Sequence, residues 1–147
     1  MSSLISQLTV GFVLTTLGIV IHISGLLIMI KVLKWLTGRE TVHPGVFKSF
    51  LLLLFSALFI LFVHIIGIWF WALFFLANGV FENLEQALYF STVTATTLGY
   101  GDVILEPGWR LLGSFHGMTG IILFGVSTAF FISVFRKLLL PFIEDDK

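Results

Sequence analysis

The chain has 147 residues, 58% of them hydrophobic and 11% charged, with a formal net charge of zero and no cysteine. A soluble domain carries about 25% charged residues, so this composition and its strongly positive mean hydropathy belong in a bilayer. They exclude a disulfide framework and a thiol metal site, and no basic block offers a face for nucleic acid.

The first long apolar run covers about residues 4–36, within an N-terminal region of residues 1–45. It lacks the charged start and small-residue cleavage site of a signal peptide and is too long for one. The whole chain is therefore expected to be mature protein in one membrane domain. This run has no arginine at every third position, so it is not a voltage sensor. Its expected role is a peripheral helix packed on the remaining spans or on a neighbouring subunit. Gly11, Gly18 and Gly25 recur every seven residues; they form either a smooth packing stripe or a scatter of membrane glycines.

Residues 46–147 read as a second unit. A second run at 46–77 forms an outer helix, and like the first it exceeds the roughly 20 helical residues that cross a bilayer. Both are expected to tilt or to extend into the headgroups. Residues 83–95 are too short to span and too helical in pattern for a loop. Asn83 followed by Gln86 three residues later matches a capping-box start, the profile of a re-entrant half-helix. Residues 96–102 follow as a glycine-containing loop, 109–135 as an inner spanning helix, and 136–147 as a short cytoplasmic tail with no room for a ligand-binding domain.

Basic residues orient these spans. Lys31, Lys34, Arg39 and Lys48 cluster at and beside the connection between the first two, and Arg136 with Lys137 closes the third. The positive-inside rule puts that loop and the C-terminus in the cytoplasm and the N-terminus outside, in an inner or plasma membrane. Trp35 falls at the inner interface and Trp69, Trp71 and Trp109 toward the outer one, where aromatic belts lie.

The run Thr96-Thr97-Leu98-Gly99-Tyr100-Gly101-Asp102 carries the chemistry. A cation entering a narrow pore must exchange its water for something equivalent, and successive backbone carbonyls aimed at one axis can serve. A regular strand alternates its carbonyls, so alternate residues must take backbone angles that glycine visits cheaply. Gly99 and Gly101 have the required spacing. Non-helical backbone at this depth must be walled in, and Tyr89, Phe90 and Tyr100 are the expected wall, with the Tyr100 ring turned outward behind the filter. The C-terminal end of the half-helix, with its partial negative charge, would face a central cavity. One chain supplies one strip of carbonyls and there is no internal repeat, so a homotetramer with the pore on its axis is expected.

This run resembles the selectivity-filter signature of the potassium-channel family, with Leu98 where that signature has Val, and the similarity to its two-span pore module covers about residues 46–135. The resemblance implies an all-α membrane fold: three transmembrane helices, a re-entrant pore helix and a filter loop, closed as a tetramer. It implies K⁺ as the permeant ion, coordinated by Thr97, Leu98, Gly99 and Tyr100 with Gly101 completing the filter, and no organic cofactor. Thr96, Asp102, Tyr89 and Val93 stand as filter support. Many bacterial members carry Glu at the position of Val93, paired with the aspartate after the filter; here that carboxylate pair is missing, and Asp102 is expected to accept a hydrogen bond from Tyr89 instead. Ile121, Phe124 and Thr128 match cavity-lining positions and share one helical face. Gly120 is either a gating hinge or a close-packing glycine. Gly113 and Gly117 form a small-xxx-small pair suited to close approach to the half-helix.

Three histidines, His22, His64 and His116, fall within the spans. An ionisable residue there invites a functional reading; interhelical hydrogen bonding, proton sensing and metal binding are the three choices. Glu82, Glu85, Asp102 and Glu106 either concentrate cations at the outer mouth or, for the first two, suit a helix N-terminus. No nucleophile–base pair, phosphate-cradling loop or metalloprotease helix is present, so no enzyme is expected. The expected function is passive, potassium-selective conduction, with lipid and self as partners and a separate regulatory partner possible for gating. Alternatives are a weakly selective cation pore and a non-conducting assembly subunit.

Overall fold

The computed structural model describes residues 3–38 and 45–144. Its order is α1 (Leu4–Thr37), α2 (Val46–Ala77), α3 (Leu84–Ala95) and α4 (Arg110–Glu144). Every regular element among the described residues is helical, and α1, α2 and α4 are each long and apolar enough to cross a bilayer. The fold is an all-α membrane fold with a short fourth helix, α3, held between α2 and α4.

Local chemistry sets the ends. Ser3 caps α1 by accepting from the Ser6 N–H at 3.1 Å. Gly38 closes it with φ +66°, ψ −162° and a backbone bond to Lys34 O, positive-φ backbone that glycine adopts without a Cβ clash. Asn83 Oδ1 accepts from the Gln86 N–H at 2.9 Å and starts α3, which satisfies one of the orphan donors of a helix start.

One boundary needs correction. The sequence pattern ends the inner helix at residue 135, whereas α4 continues to Glu144. Arg136 and Lys137 are good helix formers, and Leu138 beyond them is buried in a groove with Ile30 and Leu33 of α1. Residues 136–144 are therefore helix rather than a separate tail. Arg39, used for orientation, and residues 145–147 of the expected tail lie outside the described residues.

The buried face of α1 is Gly11, Leu14, Gly18, His22, Leu26 and Met29, a spacing of three and four that makes one stripe. It packs on α4 and α2 of the same chain. A Cβ at Gly11 would overlap the Phe115 ring, and one at Gly25 would meet Val63 Cγ2 at 2.7 Å. The glycine repeat is thus a packing stripe. The main core lies at the α3 end of the molecule, where Trp71, Phe75, Phe81 and Leu112 cluster with Ala87 and Phe90 of the half-helix. Phe75 meets Phe90 edge-on at 5.5 Å between centroids, a geometry aromatic rings prefer.

Candidate ion-conduction site

The loop after α3 folds back onto the helix that precedes it. Thr96 N–H donates to Thr92 O at 3.0 Å and Thr97 N–H to Thr94 O at 3.1 Å. Leu98 and Gly99 both donate to Val93 O, at 3.0 and 3.3 Å. A carbonyl has two lone pairs, so one peptide oxygen of α3 holds two consecutive loop residues. The last carbonyls of a helix lack partners within it, and here those of Thr92, Val93 and Thr94 secure the loop backbone. Val93 thus supports the loop through its carbonyl, a role no side-chain pattern reveals.

Within that loop the backbone alternates hand. Thr97 has φ +59°, Gly99 φ +57° and Gly101 φ +81°; Thr97 is the only non-glycine described residue with positive φ. The two glycines take this region freely. Thr97 pays about 1–2 kcal/mol for its Cβ, held there by the bonds on either side of it. The sequence marks the second and third left-handed positions through their glycines; the first is carried by a threonine and has no such mark.

Asp102 closes the loop. Tyr89 Oη donates to Asp102 Oδ2 at 2.6 Å, and Asp102 Oδ1 accepts from the Val103 N–H at 3.1 Å. The Tyr89 hydroxyl holds the Asp102 carboxyl below the usual carboxylate range, and the same bond raises the Tyr89 phenol. Thr96 supports the turn differently, its hydroxyl donating to Thr92 O at 2.8 Å. Of the three aromatics expected as a wall, Phe90 is buried in the core, whereas Tyr100 is 68% exposed within one chain and Tyr89 about half as much.

Glycines bring α4 against α3. A Cβ at Gly113 would meet Phe90 at 3.4 Å and one at Gly117 would meet Thr94 O at 3.6 Å. Gly120 is tighter: its Cβ would fall 2.9 Å from the Ala95 carbonyl carbon and closer still to the oxygen. This close approach by itself accounts for the glycine. Ile121, Phe124 and Thr128 are exposed on one face of α4, and Phe124 also stacks on His64 at 4.1 Å.

The three histidines each tie helices together. Ser127 Oγ lies 2.8 Å from His22 Nε2 and 3.0 Å from His64 Nε2, joining α1, α2 and α4 at one hydroxyl. His116 Nε2 donates to Ser91 O at 2.9 Å, joining α4 to α3. No group of three or more metal-ligating side chains occurs among the described residues. Ser127 escapes sequence reasoning, although a small polar residue in an apolar span is the signal that marks it.

The family comparison falls on these elements. A family model described as an ion channel matches residues 50–137, from the first turns of α2 through α3 and the loop to Lys137 of α4. Neither a curated protein nor a solved structure matches the chain. The matched family is generally non-enzymatic, and its module is the pair of spans with the re-entrant segment between them; α1 precedes it. With three helices long and apolar enough to cross a bilayer and a match to an ion-channel family model over more than half its length, the chain is an integral membrane protein, and it belongs to the ion-channel family in its two-span, potassium-channel-type form.

Proposed function

We propose that this protein is a potassium-selective channel, assembled as a homotetramer, that passes K⁺ passively down its electrochemical gradient. The observation that carries the reading is the alternation of left-handed backbone at Thr97, Gly99 and Gly101, at the C-terminal end of a short helix between two spans. Alternating hand is what a chain needs to turn successive carbonyls to one side, and a ring of such carbonyls replaces the ion's water. The coordinating oxygens are assigned to Thr97, Leu98, Gly99 and Tyr100, with Gly101 completing the turn.

A single chain leaves Leu98 55% and Tyr100 68% exposed. Irregular backbone at membrane depth is tolerated only where protein covers it or water lines it, and four copies around one axis supply both. Ile121, Phe124 and Thr128 then line the cavity below. Gly120 is assigned to contact with Ala95, and any bending there has to break that contact. The basic residues support an N-terminus outside and a C-terminus in the cytoplasm.

Purified protein in planar bilayers tests this. With K⁺ on one side and Na⁺ on the other, the expected reversal potential lies far toward the potassium equilibrium value. Reversal near zero makes the protein a weakly selective cation pore. No flux across pH, voltage and tension makes it a non-conducting subunit. A native mass other than four protomers removes the filter geometry altogether.

A further inference from the structure

Where α1, α2 and α4 meet beneath the end of α3 there is a cavity of about 30 Å³, bordered by Gly18, His22, His64, Trp71, His116 and Thr119. Two polar atoms of these residues, Trp71 Nε1 and His116 Nδ1, are buried and have no hydrogen-bond partner among the described residues. Both side chains are only 2% exposed, and their rings lie 4.5 Å apart. Inside a membrane protein each such group forfeits its hydration with nothing in return.

The two orphans are complementary. His116 Nε2 faces the Ser91 carbonyl, so that nitrogen carries the proton and Nδ1 is left as an acceptor. The indole N–H is a donor only. One molecule that accepts one hydrogen bond and donates another satisfies both. Space for it lies beside Gly18: a Cβ there would be 3.9 Å from Trp71 Nε1, so a larger side chain would close over the indole N–H. A third partner borders the same cavity. Thr119 donates its hydroxyl hydrogen to Phe115 O, so at its 3.0 Å contact with Thr15 it accepts, and its oxygen keeps one lone pair.

We propose that this cavity is a binding site for one structural water, which accepts from Trp71 Nε1–H and donates to His116 Nδ1. A water needs roughly 10–15 Å³ and two to four polar partners, and the cavity offers both. The site extends a hydrogen-bonded strut from α2 through the water to His116 of α4, and on to Ser91 of α3. It also gives α1, which lies outside the channel module, a defined structural role, because Gly18 forms the lid. The site stands independently of which cation the pore selects.

The test uses the full chain in lipid nanodiscs. Solid-state NMR is expected to show magnetisation transfer from water to the Trp71 indole proton and His116 in the Nε2–H tautomer. A map that resolves waters is expected to place one about 3 Å from both nitrogens. Gly18→Leu fills the cavity and is expected to abolish the water–indole transfer while the His116–Ser91 bond remains. An indole N–H with no water contact in the native protein, or His116 protonated at Nδ1, overturns the proposal. So does transfer that persists in Gly18→Leu. Should that variant not fold, the native spectrum decides alone.

Discussion

The Tyr89 hydroxyl reaches across the loop that follows α3 to the carboxylate of Asp102 at 2.6 Å. A phenol is thus the side-chain partner of this carboxylate, since Val93 has no acid to offer, and the lower carboxyl pKa is the bond's consequence.

This bond sets an acid dependence. Asp102 has a folded pKa depressed below its unfolded value, so its stabilising effect is present above the unfolded pKa, about 3.9, and is lost as pH falls through the folded value. Tyr89, raised above its ordinary value, keeps the bond below the unfolded phenol pKa and loses it as pH rises through the folded one. Tyr89→Phe is expected to move the acid loss of the conducting state up toward the ordinary aspartate range and to speed slow inactivation. Single-channel recording across pH checks both. An unchanged acid profile with unchanged inactivation removes the bond from any role in the proposed filter.

Gly120→Ala forces a Cβ into the Ala95 peptide, which is backbone and cannot rotate away. Overpacking of this kind costs about 1–3 kcal/mol, so a lower unfolding temperature in detergent and loss of conduction are expected. Gly125→Ala is the control, since nothing lies within 4 Å of a Cβ there. Replacing that helix glycine is expected to be neutral or to stabilise by up to about 1 kcal/mol. Equal stability of the two variants contradicts the close-contact assignment.

Ser127→Ala removes the hydroxyl shared by His22 and His64. Polar contacts between membrane helices are worth about 0.6–2 kcal/mol, and a loss of that order is expected on thermal unfolding. Ser133→Ala is expected to cost less, because that hydroxyl donates to Ala129 O of its own helix. If the two variants cost the same, the three-helix junction contributes nothing measurable.

The glycine stripe of α1 makes a further prediction. Gly25→Leu is expected to push α1 off Val63, and Gly11→Leu off Phe115, whereas Gly18→Ala meets only ordinary contacts at 3.6 Å and beyond. Because the chain has no cysteine, an engineered pair between α1 and α4 reports the contact cleanly. Cross-linking is expected to fall in the two leucine variants and to persist in Gly18→Ala. Efficient cross-linking in all three means that another surface holds α1.

Hydropathy and local signals suffice for the three spans, the capped start of α3 at Asn83, and the positions of Gly99 and Gly101. These are properties of neighbouring residues: apolar length matched to a bilayer, a side-chain oxygen matched to an orphan N–H, and backbone freedom where no Cβ exists. The left-handed turn at Thr97, the fit of Gly120 against Ala95, the meeting of His22, His64 and Ser127, and the reach of α4 to Glu144 come only with the folded chain. The turn at Thr97 depends on which carbonyls of α3 the loop folds back onto; the others depend on groups far apart in sequence, His22 and Ser127 by 105 residues. Local pattern says which residues prefer helix or lipid; the packing of helix on helix chooses which distant side chains share a hydrogen bond and which glycine has no room for more.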